Sequence, residues 1–220
     1  MRINYIVAKG GKEVRFVTDT ATLSFRIQHY DQRSTVAVFD SIKAMARRAG
    51  VATNIRDTVV VRKALHEFVG NVTAMQVVHN NMELLGPITY TPEEQEYAKT
   101  MQQGLNRAAD GIAAQNMPFP GAVVKDKIYG YASDIGDASW FAPEAYFVIK
   151  AFPPGVNMHT WQGAAFTAHS IAHKSVVYAA KVLSGVIIDY AANKTLQDSI
   201  KKDFEAATKH YHYSALQNSH

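Results

Sequence analysis

The segment Ser170–Ala192 puts the strongest constraint on how this 220-residue chain can fold. Its apolar residues, among them Val176, Val177, Ala180, Leu183 and Ile187, fall on nearly every side of a helix. A helix without a polar face needs cover on more than one side, so the pattern predicts a helix buried between layers. The rest of the composition is that of a globular chain: 47% apolar and 19% charged, far from the polar, highly charged makeup of disordered segments. No run of about 18 to 20 uninterrupted apolar residues occurs, and no membrane partner is expected. The start, MRINYIVAKGG, reads as a strand and a turn rather than a leader peptide. With no cysteine there is no disulfide and no thiol chemistry, and a reducing, cytoplasmic setting is the default expectation.

Lysine and arginine exceed the acids by 23 to 19, a formal charge of +4. The excess is dispersed in pairs such as Arg47-Arg48 and Lys201-Lys202. A nucleic-acid binder concentrates its basic residues, so no nucleic-acid partner is expected. Neither a GxGxxG nor a P-loop appears, and no GxSxG elbow supports a serine triad. Nine histidines are the more informative count, because neutral imidazole is the commonest metal ligand.

In the first third Ile3 to Ala8 alternates as a strand does, Val14 to Val17 and Thr22 to Ile27 supply further β-branched and aromatic residues, and Thr58 to Val61 reads as another strand. Between them Val36, Val38, Phe39, Ile42, Met45 and Ala49 recur at helical spacing, with Gly50 placed as a C-cap. This β-β-α-β order predicts a small α+β unit over residues 1–67. Residues 68–220 are expected to form a second domain. Ala74 to Leu85 is a helix closed by Gly86-Pro87. Thr91-Pro92-Glu93-Glu94 is a capping box that starts a helix running to about Ala114. Asn116 to Tyr131 is a long connection, Tyr146 to Phe152 a short apolar strand, Leu196 to Lys209 an amphipathic helix, and Tyr211 onward a frayed tail.

Three stretches could carry chemistry. In Tyr131–Trp140, Ser133, Asp134 and Asp137 beside Trp140 suit either contact with a polar ligand or a turn whose side chains bond nearby backbone. His159 lies just past an apolar strand, where α/β folds place sites, although a lone histidine serves structure equally well. His169 and His173 are four apart, but Ser170 stands where the general-base glutamate of an H-E-x-x-H helix would be. A capped helix start with an exposed His169 fits them better.

Taken in order, SDIGDASW, HTWQ and SIAHKSVVYAAKVL resemble the metal-dependent amidohydrolase and peptidase family of aminoacylases. The resemblance runs from Arg2 to about Phe204. It implies an α/β catalytic-domain remnant, residues 68–220 being the C-terminal part of that domain, plus a small α+β (ferredoxin-like) lid or dimerisation domain. It further implies hydrolysis of the amide of an N-acyl or N-aroyl amino acid by a water activated between two divalent metals, usually zinc. His159 matches the family's last metal ligand, Ser133, Asp134 and Asp137 match a substrate-lining loop, and His173 matches a family position with no metal role.

The family's earlier ligands and general base precede the region matched here, so the resemblance implies no catalytic residue within this chain. It implies either a homodimer or association with a missing N-terminal half. Arg15 and Thr18 replace a turn asparagine and proline. Gln28 stands where a substrate-holding arginine is usual, and an amide cannot replace that bidentate cation. These exchanges leave open a second expectation, a non-catalytic dimerisation or scaffold module built on the same fold.

Overall fold

A computed structural model describes residues 1–114, 132–210 and 213–214. In chain order the elements are β1 (Arg2–Lys9), β2 (Thr22–Gln28), α1 (Gln32–Thr53), α2 (Val72–Leu85), α3 (Pro92–Gln103), α4 (Ile135–Ala138), α5 (Trp161–Thr167), α6 (Ser170–Ala192) and α7 (Lys194–Thr208). The described residues fall into two compact units, the first of 1–69, 132–141 and 213–214, the second of 70–114 and 142–210. The expected connection Asn116 to Tyr131 lies outside the described residues.

In the first unit β1 and β2 pair antiparallel, Arg2 opposite Gln28 and Val7 opposite Leu23, with an irregularity between Val7 and Lys9. Helix α1 begins at Asp31, whose carboxylate accepts the Ser34 N–H at 2.7 Å. It runs four residues past the expected end, because Asn54 rather than Gly50 takes the left-handed position (φ 53°) that closes it. Gly50 serves a close approach instead. A Cβ there would meet the Ile55 carbonyl oxygen at 2.7 Å, where the chain folds back on the helix. Two expected strand segments are not strands among the described residues. Val14–Val17 includes a turn, with Phe16 N–H bonded to the Glu13 carbonyl, and Thr58–Val61 makes no ladder bonds. β-branched residues favour extended backbone, but only a partner chain makes it a strand.

The second unit is helical. Asn71 caps α2 through the Ala74 N–H (2.8 Å) and donates to the Ile200 carbonyl, tying α2 to α7. The capping box of α3 forms as expected, Thr91 accepting from Glu94 N–H and Glu94 accepting from Thr91 N–H. Helix α3 stops at Gln103 and not near Ala114. Asn106 turns left-handed (φ 52°), and the buried Gln102 accepts the Gly111 N–H at 2.8 Å, which folds the chain back. Tyr146–Phe152 forms no strand among the described residues, although Glu144 makes a parallel bridge to Gly70. It keeps the strand period: Ala145, Phe147 and Ile149 pack on the cluster of Val78, Met82, Tyr178 and Val182, while Tyr146 and Val148 are exposed. A second cluster gathers Ala98, Ile112, Phe166 and Ile171.

Helix α6 spans the expected residues but is not buried between layers. Ile171, Ala172, Ser175, Tyr178 and Val182 are buried, whereas Val176, Val177, Leu183, Ile187, Ile188 and Tyr190 are exposed. By length and composition it is also the single helix among the described residues able to cross a membrane. An all-round apolar helix states a need for cover; here the second unit supplies cover on one side only.

Glu94 ties the stability of the second unit to pH. Glu94 is buried and accepts from Lys174 Nζ and Ser170 Oγ, both at 2.6 Å. Burial pushes its carboxyl up, but the bonds from Lys174, Ser170 and the Thr91 N–H outweigh that and hold it at about 2. Because the folded value lies below the ordinary 4.5, its stabilisation is complete above that value and disappears as pH falls from about 4.5 towards 2. Lys174 is partly exposed and so screened, which limits the contribution to on the order of 2 kcal/mol. Urea titrations of wild type and Glu94→Gln should therefore differ at pH 7 and converge near pH 2.

Candidate functional site

Each stretch singled out in the sequence is held by local rules. His159 sits in the turn Asn157–Thr160 ahead of α5. Asn157 Oδ1 accepts the His159 N–H at 2.9 Å, an Asx turn. Thr160 donates to the Asn157 carbonyl (2.7 Å) and caps α5 by accepting the Gly163 N–H (3.2 Å). Gly163 lets the turn close, since a Cβ there would stand 2.5 Å from the Asn157 carbonyl oxygen. His159 itself is exposed, and its ring makes no hydrogen bond among the described residues. A fixed backbone thus presents a free imidazole.

In the first unit α4 carries the SDIGDASW residues. Ser133 donates to Asp134 (3.1 Å) and accepts the Ile135 N–H (3.3 Å), and the Asp134 side chain stays at the surface. Asp137 turns inward. Its Oδ1 accepts the His66 N–H at 3.3 Å and the Tyr213 hydroxyl at 3.0 Å. Ser139, fully buried, accepts the Val69 N–H at 2.9 Å and donates to the Gly136 carbonyl, while Trp140 Nε1 donates to the Glu67 carbonyl at 3.1 Å. Gly136 is pressed on the same segment, where a Cβ would lie 2.2 Å from the His66 carbonyl oxygen. This motif is therefore a clasp on residues 66–69, with Ser133 and Asp134 left available on its outer side.

His66 completes the clasp. Its Nε2–H donates to the Ser214 carbonyl (2.8 Å), and its ring lies 4.6 Å from that of Tyr213 and 5.8 Å from that of Trp140. Of the expected frayed tail, Tyr213 and Ser214 are held by Asp137 and His66, and the other residues from Tyr211 onward lie outside the described residues. Sequence reading passed over His66. Its partners are about 70 to 150 residues away, and no local pattern marks it.

The histidine pair of α6 does not converge on a metal. His169 is the N-cap, its Nδ1 accepting the Ile171 N–H at 3.3 Å and its ring stacked on Tyr97 at 4.0 Å, while His173 is exposed. Among the described residues no three His, Cys, Asp or Glu side chains are grouped to hold a metal. Zinc requires three or four protein ligands. The single imidazole of His159 does not meet that need, so these residues by themselves do not make the two-metal centre the resemblance implies.

Comparison with known proteins places the chain beside an amide-cleaving hydrolase, which supports a distant amidohydrolase relationship. The relative is one of the subunits of p-aminobenzoyl-glutamate hydrolase from Escherichia coli (strain K12), 22% identical over 233 residues. The match covers 94% of this chain and 48% of that protein, so the chain spans about half the length of its curated relative. No protein-family model matches the chain, and no solved structure does.

Proposed function

We propose that the chain is part of a metal-dependent hydrolase that cleaves the amide of an N-acyl or N-aroyl amino acid of the p-aminobenzoyl-glutamate type, and that residues outside these 220 complete the site. The observation that carries this is the match along 94% of the chain to a hydrolase subunit of about twice its length. The exposed His159 on its stapled turn supports it, as a donor held ready without being spent on the fold. In this account His159 gives one imidazole to a divalent metal, zinc by preference, and residues outside these 220 give the remaining donors. Such a metal would activate water and polarise the scissile carbonyl. Ser133 and Asp134 keep exposed polar groups suited to a substrate's amide or carboxylate, whereas Asp137 acts by fixing their loop.

His159→Ala tests the assignment. In the assembled enzyme it should lower kcat/KM for p-aminobenzoyl-glutamate by about 100-fold or more, as loss of a metal ligand does, and leave the helical circular dichroism unchanged. Undiminished activity would contradict it. A second reading, a non-catalytic scaffold module, is favoured by Gln28 in place of a substrate-holding arginine. It predicts no amide hydrolysis in any assembly.

A further inference from the structure

We propose that Tyr213 is a positioning residue for the substrate-binding loop, its hydroxyl acting through Asp137 to hold Ser133 and Asp134 where they meet the polar groups of the amide substrate. The inference rests on the reading of these residues as part of an amide hydrolase. It adds to that reading a distant segment that sets substrate affinity without touching substrate.

Helix α4 needs outside support. It has four residues, Ile135–Ala138, and its N-cap residue Asp134 makes no side-chain capping bond. A single turn has too few hydrogen bonds to offset the cost of nucleating it. Ser133 and Asp134 nonetheless ride on that turn. The Ser133 carbonyl accepts the Gly136 N–H at 3.1 Å, and the Asp134 carbonyl accepts the Ala138 N–H at 3.0 Å. Whatever fixes the turn therefore fixes these two residues. Asp134 and Asp137 are also three apart, neighbours on one turn, and like charges so placed repel. Donors to Asp137 relieve that repulsion and keep its carboxylate turned inward.

Asp137 Oδ1 receives the His66 N–H at 3.3 Å and the Tyr213 hydroxyl at 3.0 Å. Both bonds are charge-assisted, and the hydroxyl makes the shorter one. Tyr213 is itself well seated. Its ring lies 4.6 Å from that of His66 and 4.7 Å, edge-on, from that of Phe141. The neighbouring Ser214 carbonyl accepts from His66 Nε2 at 2.8 Å, a second anchor for the same segment. Packing thus aims the hydroxyl, the hydroxyl aims Asp137, and Asp137 holds the turn that carries Ser133 and Asp134. A binding group is placed reproducibly only when such supporting contacts lock it.

Tyr213→Phe separates positioning from packing, since it keeps the ring and removes only the bond to Asp137. In the purified chain the amides of Gly136, Ala138 and Ser139 should exchange hydrogen about tenfold faster in this variant, while those of α3 keep their rates. In the complete enzyme, these residues together with those that supply the remaining metal donors, the variant should raise KM for p-aminobenzoyl-glutamate about fivefold or more and leave kcat within about twofold. Asp137→Ala should raise KM as well. The double variant should be no worse than Asp137→Ala alone, because the hydroxyl acts only through that carboxylate. Unchanged exchange in α4 overturns the proposal, as does faster exchange with KM unchanged, a fall in kcat at constant KM, or additive effects in the double variant. The two readings fail separately. Faster exchange in a protein that hydrolyses no amide in any assembly rejects the hydrolase, whereas hydrolysis with a KM indifferent to Tyr213→Phe rejects the positioning role.

Discussion

Replacing Gly136 by alanine is expected to open the clasp that holds the first unit. The new methyl would stand 2.2 Å from the His66 carbonyl oxygen and 3.2 Å from its carbon, both backbone atoms that cannot swing aside. Relief requires α4 to move off residues 66–67. That motion lengthens the Val69–Ser139, Trp140–Glu67 and His66–Asp137 bonds together. Overpacking costs about 1 to 3 kcal/mol, and each buried group left without its partner adds about 1 kcal/mol or more. A loss of roughly 3 kcal/mol or greater in urea-unfolding free energy, with the Trp140 fluorescence shifted to the red, is the expected result. Gly104→Ala is the control. Its Cβ meets nothing nearer than 3.6 Å and its backbone is ordinary right-handed helix, so the effect should stay within about 0.5 kcal/mol.

Phe166→Ala should cost most in the second unit. The ring is fully buried and packs edge-on against Tyr97 (5.2 Å) and Phe152 (6.0 Å) in the cluster with Ala98, Ile112 and Ile171. Truncating a buried phenylalanine costs about 3 to 5 kcal/mol, through lost transfer energy and the cavity that remains. Because α5 carries both this ring and the turn at His159, the variant should also loosen that turn. Loss of the cooperative helical transition, followed by circular dichroism during heating, would register it. A melting temperature indistinguishable from wild type would show that the ring is not the centre of this core.

The elements visible in the sequence are those fixed by nearby residues. The capping box at Thr91–Glu94 and the span of α6 depend on interactions three or four residues apart, and both form as expected. Thr58–Val61 and Tyr146–Phe152 carry apolar, strand-favouring residues but gain no ladder among the described residues, since a strand is a property of a pair. Helix α6 shows the limit most directly. Its composition demands cover without naming what provides it. In the SDIGDASW loop both sequence readings find a place, divided by residue: Asp137 and Ser139 staple backbone, and Ser133 and Asp134 remain outside. His66 and Tyr213 could not be foreseen, because only the folded chain brings them to Asp137.

The proposed metal site has one corner in these residues, His159, and its remaining donors outside them. The direct measurement is hydrolysis of p-aminobenzoyl-glutamate by the purified 220-residue chain, with and without added zinc. One imidazole cannot hold a catalytic metal, so the rate should equal that of buffer under both conditions. Zinc-stimulated turnover by these 220 residues alone would contradict a site whose remaining donors lie outside them.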